Sequence, residues 1–266
     1  MSPRKRLRGP VGAEPRSAAI VLRSEREIAR LRAAGRVVAE VLDQLAPMVV
    51  PGVRTAELDR MAERLIRQAG GVPTFKGYQG FPASICASVN AEVVHGIPGA
   101  RRLEPGDIIS VDVGVTLDGY VGDGARTFAL APVLPTTQRL LDVTQEALAA
   151  GIAAALPGGR VGDISHAVQV VVEAAGYSCV RKFCGHGVGT SMHEEPSVPN
   201  YGPSGRGPRL ETGMVLAIEP MVNAGTFDVD VGDDGWVVRT RDGALSAHFE
   251  HTVAIGAEGP EILTRA

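Results

Sequence analysis

Two aspartates lie in one predicted β-hairpin, within the stretch DIISVDVGVTLDGYVGDGARTF at residues 107–128. The dipeptide Asp118-Gly119 predicts a two-residue turn, because both residue types tolerate positive φ. With that turn, Asp112 and Asp123 point to the same face as diagonal neighbours, roughly 7–8 Å apart at the backbone. Bare carboxylates this close repel each other, and a divalent cation between them would remove the repulsion. Taken alone, the stretch fits a solvated amphipathic hairpin better, because aspartates are mostly exposed.

An internal repeat describes the helices that surround this hairpin. PGVRTAELDRMAERLIRQAGG at 51–71 matches PGGRVGDISHAVQVVVEAAGY at 157–177 with an offset of 106 positions. Each segment predicts a helix with a Pro-Gly entry and a glycine stop. A further helical pattern precedes each of them, and the first begins at a capping box formed by Ser24 and Glu27. The sequence therefore predicts two pairs of helices.

The repeat continues into the strands and carries an acidic residue with it. LEPGDIISVDV at 103–113 matches LETGMVLAIEP at 210–220 with an offset of 107 positions. Asp112 in the first half falls on Glu219 in the second. We therefore expect two αα-plus-hairpin units related by a pseudo-two-fold axis, with both acids in one central cleft. A chance repeat is the alternative, and the acid-on-acid match argues against it.

Two later segments supply further candidate ligands. CGHGVGTSMHEEP holds His186 between glycines, which we expect to let the backbone bend and bring the imidazole into the cleft. LSAHFEHTVAI predicts a late strand that carries Glu250; His248 would share its face, either supporting the ligands or as a structural histidine. Four carboxylates and one imidazole nearly balance two divalent cations and a hydroxide, and oxygen-rich sets favour Mn, Fe, Co or Zn. The candidate set is Asp112, Asp123, His186, Glu219 and Glu250.

Composition narrows the class of protein. The 266 residues carry a net charge of −3, which argues against a nucleic-acid-coating surface. They are 44% apolar but only 4% aromatic, so we expect a sizeable core filled by Ala, Val and Leu. Three cysteines without a CxxC pair fit a reducing cytosol, and no apolar run reaches transmembrane length. We expect residues 1–17 to be a basic disordered tail and 18–266 to be one domain. The tail could touch an acidic partner such as ribosomal RNA, although a solvated tail is the simpler alternative.

Five motifs in order resemble the methionine aminopeptidases, from about Ser24 to Ile255: VDVGVTLDGYVGD, GHGVG, MHEEP, IEPMV and FEHTV. The resemblance implies the pita-bread fold, an α+β architecture of duplicated αα-plus-β-hairpin units around a central antiparallel sheet. Only 26 positions separate His193 from Glu219, and no Cys-rich zinc-finger extension is present. These features resemble the bacterial type I enzymes.

The resemblance also implies roles for the ligand set. Asp123 and Glu250 would bridge two divalent ions (Co, Mn, Fe or Zn). Asp112 would complete the coordination of one ion, while His186 and Glu219 would complete that of the other. Two such ions would activate a water and polarise a carbonyl.

Catalytic and substrate-binding residues follow from the same resemblance. His95 would contact the substrate near the scissile amide, and His193 would hydrogen-bond the substrate carbonyl. Glu219 would also shuttle a proton. Three residues match the family's methionine pocket: Tyr78, Cys86 and Trp236. Four positions depart from the family's usual residues: Phe75, Phe81, Met192 and Gly124. The first three leave the pocket apolar, whereas Gly124 removes a hydroxyl beside Asp123.

The implied function is removal of the initiator methionine from nascent proteins in the cytoplasm, with a preference for small second residues. We expect a monomer without membrane attachment. A proline dipeptidase or X-Pro aminopeptidase is the alternative, because it uses the same ligands; such relatives usually carry an extra N-terminal domain, and only about two dozen residues precede the first predicted helix. A non-catalytic binding protein on the same scaffold is an alternative of another class, although such proteins lose ligands.

Overall fold

The computed structural model describes residues 19–265, so the predicted tail at 1–17 lies outside the described residues, and the predicted domain bounds stay a prediction. Within that range the helices are α1 (Glu25–Leu45), α2 (Thr55–Gln68), α3 (Pro135–Ala154) and α4 (Val161–Ala174). The strands of the first half are β1 (Val72–Pro73), β2 (Ile85–Val89), β3 (Glu92–Val94), β4 (Ile108–Leu117) and β5 (Tyr120–Ala129). Those of the second half are β6 (Ser178–Cys179), β7 (Gly185–Gly187), β8 (Glu194–Val198), β9 (Val215–Ile218), β10 (Met221–Asn223), β11 (Val229–Val231), β12 (Val238–Thr240), β13 (Ser246–His248), β14 (His251–Gly256) and β15 (Gly259–Ile262). No helix in residues 19–265 is both long and apolar enough to cross a membrane.

Helix α1 begins where the sequence predicts. The backbone N–H and the hydroxyl of Ser24 donate to Glu27 Oε2 at 2.9 and 2.7 Å, which satisfies groups that a helix start leaves unpaired. An apolar stripe along α1 is buried throughout: Ile28, Leu31, Val38, Leu42 and Leu45. Burying this stripe against β4 and β5 holds α1 across the back of the hairpin.

The hairpin of β4 and β5 has the predicted register. Asp118 and Gly119 have φ of 48° and 81°, as a turn with two left-handed residues requires. Asp123 lies opposite Gly114, and Asp112 lies opposite Ala125. The two aspartates are therefore diagonal neighbours on one face.

Equivalent hydrogen bonds in the two halves confirm the internal repeat. Gly52 N–H donates to the Leu103 carbonyl at 2.7 Å, and Gly158 N–H donates to the Leu210 carbonyl at 2.8 Å. Matching isolated bridges join Arg54 to Arg102 and Arg160 to Arg209. Each helix pair covers its own apolar core, one against β2 and β4 and the other against β9 and β14.

The second half differs from the first in its connection. Strands β4 and β5 belong to a four-stranded sheet, whereas β9 and β14 pair within a five-stranded sheet ordered β15-β14-β9-β7-β8. Strands β10 to β13 lie between β9 and β14 in the chain, where the first hairpin has only its short turn. His251 on β14 lies opposite Ile218 on β9. One residue further along this antiparallel register, Glu250 comes opposite Glu219.

The predicted late strand is interrupted, so its expected continuity is wrong. Strand β13 ends at His248 and pairs with β10, while β14 starts at His251 and pairs with β9. Between them Glu250 N–H donates to the Ala125 carbonyl on β5 at 3.0 Å. The chain changes sheets here, and the change carries Glu250 to the aspartates of the first half.

Candidate active site

A cavity of about 160 Å³ opens between the two halves. Every predicted site residue lines it: Tyr78, Cys86, His95, Asp112, Asp123, His186, His193, Glu219, Trp236 and Glu250. The structure thus brings together acids from both hairpin-like units, as the repeat predicts.

Thr252 holds the two most buried carboxylates side by side. Asp123 and Glu250 are 2% and 3% exposed. Asp123 N–H donates to Thr252 Oγ1 at 3.0 Å, and that hydroxyl donates to the Asp123 carbonyl at 2.7 Å. This backbone clamp ties β5 to β14 and fixes both carboxylates relative to each other. A Cβ at neighbouring Gly124 would lie 3.1 Å from Val38 Cγ1, so a hydroxyl-bearing side chain there would require Val38 to move.

His186 reaches the cleft from β7, and its ring is oriented by its own strand. Its Nδ1 lies 2.9 Å from the Gly187 carbonyl, which can only accept, so Nδ1 carries the proton. Its Nε2 lies 3.6 Å from Asp123 Oδ2 and 3.5 Å from Glu219 Oε1. In a neutral ring this arrangement leaves the Nε2 lone pair facing the carboxylates, as metal ligation requires.

The glycines beside His186 serve a different purpose from the predicted bend. Gly185 and Gly187 are part of extended β7 and do not have positive φ. A Cβ on Gly185 would overlap the Ala217 carbonyl oxygen, and one on Gly187 would overlap that of Glu195. Their role is therefore to admit neighbouring backbone closely, and the pairing of β7 with β8 changes register between them.

The cleft's electrostatics favour cations. Burial, and then the neighbouring carboxylates, raise the pKa of Asp112, Glu219 and Glu250 well above the usual range. Burial likewise raises the pKa of Asp123 to about 7. Three buried carboxylate oxygens of the cleft have no hydrogen-bond partner within residues 19–265: Asp112 Oδ1, Asp123 Oδ1 and Glu250 Oε1. Unpaired buried oxygens beside an imidazole fit divalent cations, since metal binding would supply both partners and countercharge.

Aromatic and apolar side chains form the other end of the cavity. The rings of Phe81 and Trp236 are 5.1 Å apart at 72°. Phe75 packs on Gly114, where a Cβ would lie 2.6 Å from the ring. Burial and then Asp112 raise the pKa of Cys86 well above its usual range, so its sulfur stays a thiol.

Two histidines and a tyrosine connect this apolar end to the carboxylates. Tyr78 Oη lies 2.8 Å from His193 Nδ1, and the His193 ring lies 4.3 Å from that of His186 between centroids. His95 has a left-handed φ of 60° and faces Trp236 at 6.3 Å between ring centroids. Burial lowers the pKa of His95 to about 4, which keeps its imidazole neutral near pH 7.

Gln79 and Phe183 also belong to this region, although sequence reasoning missed both. Gln79 lines the cavity from a left-handed turn, and Phe183 packs edge-on against His95 at 5.7 Å between ring centroids. No motif marks Phe183, while the Gly-Tyr-Gln-Gly spacing around Gln79 could have signalled a turn.

Comparison with known proteins identifies relatives that are metallopeptidases, which agrees with the carboxylate and histidine cluster in the cavity. Residues 29–257 match the family model described as metallopeptidase family M24. The chain belongs to metallopeptidase family M24. A methionine aminopeptidase of Clostridium acetobutylicum is 53% identical over 246 residues, which cover 92% of this chain and 98% of that protein. The crystal structure of methionine aminopeptidase from Rickettsia prowazekii has a TM-score of 0.91 and 42% identity, covering 92% of this chain and 100% of that one.

These relatives confirm the predicted resemblance and the pita-bread fold within the M24 family. A prolidase from Pyrococcus furiosus is 21% identical with a TM-score of 0.74, and the match spans 65% of that chain. Similarity at that level shows the shared fold alone. The M24 relatives thus favour the methionine aminopeptidases over the proline peptidases.

Proposed function

We propose that this M24 chain is a metal-dependent aminopeptidase that removes N-terminal methionine from new polypeptides with small second residues. The observation that carries the proposal is a set of five candidate ligands lining one small aromatic cavity, of which Asp123, His186 and Glu250 are buried and close enough to hold one ion. Its volume of about 160 Å³ suits one side chain, since cavities of about 150 Å³ hold a benzene-sized group. Aromatic walls suit a methionine thioether, because sulfur makes favourable contacts with rings.

Five residues would hold two divalent ions. We assign Asp123 and Glu250 to both ions, Asp112 to one, and His186 with Glu219 to the other. When bound, such ions activate a water at neutral pH and polarise the scissile carbonyl. The oxygen-rich set with one imidazole suits Co, Mn, Fe or Zn.

The histidines at the cavity would orient the substrate. We assign the Tyr78 hydroxyl, 2.8 Å from His193 Nδ1, as the donor in that contact, which would leave the His193 proton on Nε2 as a donor to the substrate carbonyl oxygen. Neutral His95 would contact the peptide near the scissile amide. We assign proton transfer to Glu219, whose side chain is 13% exposed and lies against His186.

Peptide hydrolysis tests this proposal directly. We would measure amino-acid release from Met-Ala-Ser and Ala-Pro peptides with Mn, Co or Fe supplied. Asp123→Ala should lose at least about 100-fold activity, since it removes a ligand. Asp43→Ala is the matched control, because Asp43 is exposed on α1 and forms a surface ion pair with Arg126.

Each outcome of that assay discriminates between functions. Cleavage of Met-Ala-Ser alone, lost only in Asp123→Ala, supports the proposal. Cleavage of Ala-Pro instead would assign the chain to the proline peptidases. If plasma emission analysis finds metal and neither peptide is cleaved, the non-catalytic alternative is favoured.

The proposed partners are the N-termini of nascent chains, and the proposed site of action is the cytoplasm, where such chains emerge. We also propose that the protein acts as a monomer. Contact with ribosomal RNA would involve residues 1–17, which lie outside the described residues.

A further inference from the structure

His248 stands beside the predicted ligand set, and its ring nitrogen lies within 4.8 Å of carboxylate oxygens of Glu219 and Glu250. It ends β13, is 1% exposed, and its Nε2 has no hydrogen-bond partner within residues 19–265. That atom lies 3.8 Å from Glu219 Oε2 and 3.7 Å from Glu250 Oε2. A buried polar atom aimed at two carboxylates needs a partner when the site is in use.

The backbone around His248 is tightly held, so the ring has a defined position. Its N–H donates to Thr127 Oγ1 at 2.9 Å, and that hydroxyl donates back to the His248 carbonyl at 2.7 Å. Ser110 Oγ lies 2.8 Å from the same hydroxyl. This clamp ties β13 to the first-half hairpin directly beneath the carboxylates.

The two oxygens of Glu219 face different imidazoles. Oε1 lies 3.5 Å from His186 Nε2, and Oε2 lies 3.8 Å from His248 Nε2. His186 offers a lone pair there because its Nδ1 proton is held by the Gly187 carbonyl. His248 Nε2 also faces one acceptor oxygen from each of two carboxylates, and an N–H at that atom would be a donor shared between them.

We propose that His248 is a positioning residue of the metal centre, whose Nε2–H bridges the Glu219 and Glu250 carboxylates and holds them in the orientation that receives the cations. The proposal rests on the proposed metal-dependent function. At 3.7 and 3.8 Å the contacts exceed hydrogen-bonding distance, and a shift of roughly 1 Å in either carboxylate would close them. Such outer partners change metal affinity by about 10–100-fold when removed.

Two substitutions separate donation from other roles. His248→Gln keeps an N–H donor on a side chain of similar reach, whereas His248→Leu removes it. We would titrate metal-free protein with Mn²⁺ by calorimetry and compare the dissociation constants. The His248→Leu variant should bind Mn²⁺ about 10–100-fold more weakly than wild type. The His248→Gln variant should have a dissociation constant within about threefold of wild type. His166→Leu is the matched control, since His166 is exposed on α4, and it should leave the constant unchanged.

Histidine nitrogen NMR of the wild-type protein loaded with Zn²⁺ supplies a readout that needs no substitution. We expect the His248 Nε2 to keep its proton while the His186 Nε2 has none. A deprotonated, zinc-bound Nε2 on His248 would overturn the proposal and make this residue a sixth ligand. Wild-type affinity in a folded His248→Leu protein would overturn it as well.

Failure of the underlying function looks different. If wild-type protein binds no Mn²⁺, the proposed ligand set fails, and the His248 proposal fails with it. If the wild-type protein binds Mn²⁺ tightly but the His248 variants do not behave as expected, the metal-dependent function is retained and only the His248 proposal fails. Circular dichroism of each metal-free variant shows whether it is folded. If His248→Leu is unfolded, the NMR measurement on the wild-type protein tests the proposal instead.

Discussion

At the residue scale, the cleft carboxylates compete for protons as well as for cations. Asp112, Glu219 and Glu250 have pKa values raised well above the usual range by burial and by one another, and that of Asp123 is raised to about 7. Ionising them without a cation costs free energy, because each new charge is buried beside others. Metal binding and deprotonation should therefore be linked.

This linkage predicts how the stability of the metal-free protein depends on pH. Because folding raises the Asp123 pKa from about 3.8 to about 7, its contribution to stability is complete below its unfolded pKa and is lost as pH rises through 7. In EDTA, the thermal midpoint should decrease as the pH is raised from 5 to 7.5. The free energy of unfolding should decrease by at most about 1.4 kcal/mol per pH unit for each proton released. The thermal midpoint of the Asp123→Asn variant should decrease less steeply with pH. An equal pH dependence in both proteins would contradict the raised pKa of Asp123.

Tyr78 is expected to act through His193. Tyr78→Phe removes the hydroxyl that lies 2.8 Å from Nδ1, and with it a hydrogen bond worth about 1 kcal/mol. We expect kcat on Met-Ala-Ser to fall about 5–10-fold with little change in KM, because the His193 donor matters most as charge develops on the carbonyl. Tyr177→Phe is the control, since its hydroxyl makes an exposed 3.5 Å contact with the Thr136 carbonyl. A changed KM with constant kcat would assign Tyr78 to binding instead.

At the scale of elements, the segment before α1 supports the turn that carries His193. Arg23 Nη2 donates to both oxygens of Glu194, at 2.7 and 2.5 Å, and both side chains are under 8% exposed. Glu194 Oε1 also accepts the backbone N–H groups of Thr190 and Ser191 at 3.0 and 3.1 Å. The ion pair thus shapes the turn between β7 and β8.

Breaking this pair should be costly. Arg23→Met would leave the Glu194 carboxylate buried without its cation, which typically costs 3–5 kcal/mol. Arg32→Met is a matched control, because Arg32 forms an exposed two-contact pair with Glu261, at 2.6 and 3.0 Å, and such pairs contribute about 1 kcal/mol or less. Urea unfolding of both variants measures the difference. Equal losses would show that burial of the Arg23 pair has no special effect.

For the whole molecule, the cleft is the place where the duplicated halves meet. Asp112 and Asp123 come from the first hairpin, whereas His186, Glu219 and Glu250 come from the second half. Protein contacts already join the halves through Thr252 and the Ala125 carbonyl. A cation held by ligands from both would add to those links.

Metal loading should therefore stabilise both halves together. At a free Mn²⁺ concentration of about 100 times the dissociation constant, binding contributes about 2.7 kcal/mol, or a rise of about 5–10 °C in the thermal midpoint. Hydrogen exchange should slow in β4 and β5 and also in β9 and β14. Asp123→Ala should show neither effect. Slower exchange confined to one half would contradict a site shared between them.

Much of this protein is determined by local sequence. The Asp118-Gly119 turn sets the register that pairs Asp112 and Asp123 on one face, because residue types alone select its backbone angles. The repeat at offsets of 106 and 107 predicts both helix pairs and the acid at Glu219, since each copy folds by the same short-range patterns. The family motifs supply the candidate ligands, and all of them line one cavity.

Tertiary structure alone decided features that depend on distant contacts. The break after His248 exists because β13 and β14 pair with different sheets, a choice that a strand's own alternation does not encode. Gly185 and Gly187 are needed by backbone that approaches from β8 and β9, a requirement that their spacing in the sequence does not reveal. Arg23 meets Glu194 across 171 positions. Local patterns specify which way a side chain points on its own element, whereas packing between elements specifies what it meets there.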